Sequence, residues 1–196
     1  MRKAVLLLVL LSAACGNGDN VIIGGIAASS ITPPISFENV NSVISGRIFL
    51  RDADGNSTGV QSEAVIISDR PGLCDRLAQH PEYFRTPPET YLALILFLPG
   101  DNRLGTFFPG RLIDAGTDSE IIGVGDTKVP VAPFKLLQNY GYISLRDWSD
   151  SPGGEAAGSF SLAYVPPPEL ASNLTSLFAG KFKSTVCPTL DGTLLP

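Results

Sequence analysis

Short apolar runs separated by polar and turn-forming residues dominate the chain. Residues 91–98 form an unbroken run of eight apolar positions, which suits a strand buried on both faces. The run stops at Pro99-Gly100-Asp101-Asn102, a cluster of turn formers. Val43-Ile44 and Ile48-Phe49-Leu50 about Gly46, then Ala64-Val65-Ile66-Ile67, predict two more strands. Residues 104–108, 121–124 and 140–148 predict others.

One internal regularity stands out. Ala157-Gly158-Ser159-Phe160-Ser161 returns 22 residues later as Ala179-Gly180-Lys181-Phe182-Lys183. Each copy then alternates, as Phe160-Leu162-Tyr164 and as Phe182-Ser184-Val186. Two such copies predict neighbouring antiparallel strands of one sheet. The glycine that opens each copy predicts a bend or bulge at a sheet corner.

A single helix is expected over residues 72–79. Ser68-Asp69-Arg70-Pro71 supplies a capping candidate and a first-turn proline. Leu73 and Leu77 lie four apart on one face, with Cys74 beside them. Residues 168–177 place Leu170, Leu174 and Leu177 at helical spacing, and no element is assigned there. With 16 prolines, 20 glycines, short strands and little helix, the chain is expected to be mainly β, an antiparallel β-sandwich or barrel with one short helix.

The N-terminus follows other rules. Met1-Arg2-Lys3 is a charged start, residues 4–11 are apolar, and Ser12-Ala13-Ala14 are small. This is the layout of a secretory signal, and the apolar run is far below the roughly 20 residues that span a bilayer as a helix. Leu11-Ser12-Ala13-Ala14-Cys15 resembles a lipobox, the processing site of bacterial lipoproteins. The resemblance covers only these first 15 residues. It implies cleavage before Cys15, a diacylglycerol on the Cys15 thiol and an acyl chain such as palmitate on the new amine. Ser12 stands where that pattern usually has Leu, and ordinary signal peptidase could also cut after Ala14, giving a plain secreted protein. Two or more acyl chains give stable anchoring. Gly16 and Asn17 lack the Asp that retains many such proteins at the inner membrane, so the resemblance implies the bacterial cell envelope, at the outer membrane. The Gly-x-Phe strand leading to a cysteine is also similar to β-rich domains of uncharacterised exported lipoproteins, a likeness that implies no function.

On this reading residues 1–14 are a signal peptide, residues 15–41 a lipidated N-terminus and tether, and residues 42–196 one β-rich domain. Residues 16–41 hold Pro33-Pro34 and no sustained period, as a tether does, and a part of them could pack on the domain. Loss of Arg2 and Lys3 leaves 12 basic residues against 19 acidic ones, a net charge of −7. Nucleic acid is therefore not an expected partner. With Cys15 lipidated, Cys74 and Cys187 remain in an oxidising compartment. They form either a disulfide, which is favoured, or two separate buried thiols. A bridge closing so long a loop stabilises by roughly 4–5 kcal/mol in the chain-entropy model.

Candidate chemistry is sparse. His80 is the single histidine and falls where the helix should end, a place suited to a polar residue. A Ser-His-Asp site would have to use it, and no Gly-x-Ser-x-Gly elbow occurs. Asp52, Asp54 and Asn56 alternate as calcium-loop ligands do, with Glu63 at the twelfth place, but Ser57 sits where the turn glycine belongs. A hairpin turn at Asp54-Gly55 is the simpler reading. Trp148, in Asp147-Trp148-Ser149-Asp150-Ser151-Pro152-Gly153-Gly154, either stacks on a sugar ring or sits half-buried at a strand end. Asp118 and Glu120 could serve glycoside hydrolysis only if the fold brought them to a suitable separation. No cofactor is expected. The expected function is a non-enzymatic, lipid-anchored envelope protein, structural or binding in role. A carbohydrate- or protein-binding module is the second expectation and a hydrolase the third.

Overall fold

The computed structural model describes residues 20–28, 31–36, 39–51, 56–81, 83, 91–100, 104–108, 118–124, 134–165, 176–191 and 193–195. Strands dominate: β1 (Val21–Ala28), β2 (Ile31–Ser36), β3 (Ser42–Arg51), β4 (Ser57–Ser68), β5 (Tyr91–Pro99), β6 (Gly105–Phe107), β7 (Asp118–Val124), β8 (Phe134–Asp147), β9 (Glu155–Val165), β10 (Ser176–Val186) and β11 (Thr193–Leu195). Among the described residues one helix, α1 (Leu73–Gln79), follows β4, and a 3-10 turn (Pro188–Leu190) follows β10.

All 11 strands belong to one sheet. Seven of them, β3, β4, β5, β7, β8, β9 and β10, pair in that order and curl into a barrel-like ring. The first six contacts are antiparallel. Strand direction alternates at each of them, so the seventh strand points the same way as the first. The ring therefore closes in parallel, through Thr185↔Ile44 and Val186↔Ser45. β11 continues along β3 in the same sense, from Thr193↔Ile48 to Leu195↔Leu50. The sheet is thus mixed rather than purely antiparallel, and the odd strand number is the reason.

The repeated copies lie side by side, antiparallel and without interruption, from Ser176↔Tyr164 to Thr185↔Glu155. In this register Gly180 faces Phe160 and Gly158 faces Phe182. Gly158 leaves room for the other copy's ring: a Cβ there would stand 2.7 Å from the Phe182 ring and against the Ser144 carbonyl. The expected bulge falls on the neighbouring strand, where the β8–β9 register shifts between Leu145 and Asp147, opposite Gly158 and Ala157.

Two apolar layers explain the long apolar run of β5. Inside the ring, Val65, Ile67, Leu94, Leu96, Leu98, Phe107, Ile143, Leu145, Phe160, Leu162, Phe178 and Phe182 form one core. On the outer face of β3, β4 and β5, Ile44, Ile48, Ile66, Ile95 and Phe97 meet Leu73 and Leu77 of α1, Tyr83, Tyr91 and Leu190. β5 alternates between the layers and is buried along almost its whole length. Interiors of small barrels are filled by side chains in this way. Gly46 permits the close seat of the 3-10 turn, since a Cβ there would stand 2.8 Å from the Leu190 Cβ.

Leu73 and Leu77 are the buried face of α1, as their spacing predicts. Its start differs from expectation. Ser68 ends β4 and its hydroxyl accepts from Arg70 N at 3.1 Å. Asp69 accepts from Leu92 N of β5 at 2.8 Å. The cap is the left-handed Gly72 (φ 65°), and Leu73 N donates to the Ser42 hydroxyl of β3 at 3.2 Å. Asp69 is spent on the sheet and Ser68 on the bend at Arg70, so a distant serine serves the helix. Cys74 of α1 is bonded to Cys187 at the end of β10, with Cα atoms 5.7 Å apart.

Part of the region read as a tether does pack on the domain, as sheet. Val21–Ala28 pairs with β10 from Val21↔Lys181 to Gly25↔Leu177, and Ile31–Ser36 pairs with Val21–Ala28. Asn20 holds its start, its side-chain oxygen accepting from Lys183 N at 2.6 Å. Backbone pairing along an open strand needs no apolar period, which hid these strands, and Pro33-Pro34 fits an edge position. Residues 166–175, most of the unassigned 168–177 stretch, lie outside the described residues, and residues 176–177 begin β10.

Candidate functional site

The inner face of β3 and β4 changes character at one end. Ser45 and Arg47 point inward from β3, and Glu63 lies directly across from Arg47 in the β3–β4 register, next to Val65 opposite Ser45. Above them the β8–β9 turn, residues 148–154, folds back over the ring. Gly154 N donates to Ser151 O, and Val186 N donates to Gly154 O, both at 2.8 Å.

Arg47 joins the two parts. Its Nε lies 3.6 Å from Glu63 Oε1, and its Nη2 lies 3.6 Å from Asp150 Oδ2. Asp150 also accepts from the Trp148 indole at 2.8 Å. The Glu63 side chain is only 2% exposed, against 47% for Asp150. Burial, and then the Asp150 carboxylate, push the Glu63 carboxyl up from 4.5 to about 7. Arg47 pulls it down and Asp191 pushes it further up. At 3.6 Å the Arg47–Glu63 contact is an ion pair longer than a hydrogen bond. Ser45 Oγ, Arg47 Nε and both Glu63 oxygens are buried with no hydrogen-bond partner, a costly arrangement in an interior. A carboxyl that titrates near neutrality suits proton transfer, but this one is sealed beneath the turn.

Of the calcium-loop candidates, Asp52 and Asp54 lie outside the described residues. Asn56 is exposed just before β4, whereas Glu63 is seven residues further on, buried against Arg47. An extended strand of that length spans about 20 Å, so these two do not share a site. Among the described residues no group of three or more His, Cys, Asp or Glu side chains is placed to hold a metal ion.

Trp148 is half-buried and packs on the inner core, so one side of its indole is occupied. His80 is exposed and caps the end of α1, its N–H donating to Arg76 O at 2.8 Å. Asp118 and Glu120 alternate with Ser119 along β7. Cys15 lies outside the described residues. Sequence reasoning missed Ser45 and Arg47, and reached Glu63 for a different reason. The available signal was charge at Arg47 and Glu63 within two strands otherwise rich in Val and Ile.

Comparison with protein-family models, curated proteins and solved structures finds no match to any of them. No helix among the described residues is long and apolar enough to cross a membrane.

Proposed function

We propose that the protein is a lipid-anchored bacterial envelope protein whose β-rich body serves a structural or binding role rather than catalysis. The observation that carries this reading is the N-terminal sequence. Arg2-Lys3, an apolar run and Leu11-Ser12-Ala13-Ala14-Cys15 together specify export, processing and acylation at Cys15. The Cys74–Cys187 bridge suits an oxidising compartment outside the cytoplasm. A ring whose interior is filled by Leu, Ile and Phe side chains suits a rigid scaffold. The raised carboxyl at Glu63 is buried under the β8–β9 turn, which favours a structural role for it over proton transfer to a substrate.

Binding is the second reading, for a protein or carbohydrate partner at residues 148–154. Ser151, Pro152 and Gly153 of that turn are exposed, and Arg47 braces Asp150 beneath it.

Metabolic labelling with a clickable palmitate analogue tests the anchor in cells that make lipoproteins. The wild-type chain should incorporate label and sediment with membranes. Cys15→Ala should do neither. Label that persists in Cys15→Ala refutes the assignment.

A further inference from the structure

We propose that the β8–β9 turn, residues 148–154, is a proton-controlled latch over one end of the ring. Protonated Glu63 leaves Arg47 to hold Asp150 and keeps the turn down. Ionised Glu63 competes for Arg47, repels Asp150 and lets the turn lift. The latch is independent of the anchor at Cys15.

The turn is braced within itself and can move as a unit. Trp148 donates to Asp150 at 2.8 Å, Ser151 N to the Ser149 hydroxyl at 3.2 Å, and Gly154 N to Ser151 O at 2.8 Å. Its outer part, Ser151-Pro152-Gly153, is exposed, and Gly153 has open space around it. At its two ends it meets the ring through Trp148, packed on the inner core, and through Gly154 O, which accepts from Val186 N. Between them, Asp150 meets Arg47.

Arg47 stands between two carboxylates, 3.6 Å from each. Among the described residues, the charges that act on Glu63 are Arg47 from β3, Asp150 from the turn and Asp191 from beyond the 3-10 turn. β5 sets Leu98 opposite Glu63 and carries no acid or cation. The neighbours on the same face of β4, Gln61 and Val65, are uncharged. Glu155 of β9 is paired with Lys183 of β10, 3.0 Å away. Loss of the Glu63 proton therefore sets three carboxylates around one guanidinium. Lifting the turn takes Asp150 out of that group. It also admits water to the Glu63 oxygens and to Ser45 Oγ, which are buried without hydrogen-bond partners, and so relieves the cost of leaving them unmade.

The direction follows from linkage. With the turn down, burial and then Asp150 raise the Glu63 carboxyl from 4.5 to about 7. Hydration in the lifted form returns it toward 4.5. The closed form thus holds the proton more tightly, and rising pH favours the lifted form. The ratio of lifted to closed turn grows by up to roughly 300-fold from acid to alkaline pH.

Trp148 is the single tryptophan and belongs to the turn, so its accessibility reports the latch. Quenching of its emission by acrylamide, a neutral quencher, is measured on the full chain from pH 5 to pH 9, with far-UV circular dichroism alongside. Quenching should rise in one step near neutrality while the dichroism stays constant. Glu63→Gln, neutral throughout, should keep the acid value at every pH. Asp150→Asn retains an acceptor for the indole without the charge, so its step should move to lower pH. That variant decides the matter even where Glu63→Gln fails to fold. A wild-type profile without a step, the same step in Glu63→Gln, a step at unchanged pH in Asp150→Asn, or dichroism lost along with the step overturns the latch.

Discussion

Glu63→Gln should abolish a specific loss of stability between acid and neutral pH. The Glu63 carboxyl rises from 4.5 to about 7 on folding. A raised folded-state value means that the folded protein holds the proton more tightly than the unfolded chain. The resulting stability is full below pH 4.5 and is lost as pH rises through about 7. Each tenfold change in proton affinity is worth about 1.4 kcal/mol, so the whole loss is about 3 kcal/mol. That figure already includes the attraction of Arg47, because Arg47 opposes the rise. Glutamine resembles the protonated carboxyl in size and neutrality and does not titrate. Urea unfolding of wild type and Glu63→Gln at pH 4 and pH 8, followed by Trp148 emission, reads the effect, since Trp148 packs on the core. The variant should gain about 3 kcal/mol on wild type at pH 8 relative to pH 4, a relative midpoint shift of about 1–2 M urea. Other titrating groups cancel in the double difference. A stability gap that is the same at both pH values would refute the assignment of Glu63 as the strained acid.

Asp150→Asn should lower the Glu63 value, because Asp150 is the charge that most raises it; the wild-type pH dependence should then move to lower pH in the same unfolding assay. Gly158→Ala should destabilise by roughly 2–3 kcal/mol through forced overpacking against Phe182 and Ser144. Gly153→Ala, with open space around it but φ 76°, should cost only about 1–2 kcal/mol; equal midpoints for the two would contradict the packing account. Replacing both cysteines, as Cys74→Ser with Cys187→Ser, should remove about 4–5 kcal/mol, since the bridged positions lie 113 residues apart. Unchanged unfolding under oxidising conditions would count against that.

Much of the sheet was legible because burial left a mark on composition. β5 is apolar throughout since both faces are covered, one by the ring's interior and one by α1. The repeated Gly-x-Phe segments read as partners because two similar alternating copies joined by a connection suit neighbouring antiparallel strands. Leu73 and Leu77 marked a helix by spacing alone. The helix cap was not legible, because Ser42 reaches it from 31 positions away. Nor were Val21–Ala28 and Ile31–Ser36, whose pairing is carried by backbone groups that every residue possesses. The Arg47–Glu63 ion pair required the register of two strands, and Asp150 joined it only through a turn 87 positions beyond Glu63.

The parallel contact between β3 and β10 has a kinetic consequence. Its residues, Ser45 and Val186, are 141 positions apart. Loop entropy grows only as the logarithm of separation, so equilibrium tolerates the distance, but assembly is slowed by it. A chain made from its N-terminus must carry β3 with one edge bare until the last strands are synthesised. Until then that edge is a template for another molecule. Cys187 directly follows Val186, so oxidation to Cys74 can record that the circumference has been completed and keep it from reopening.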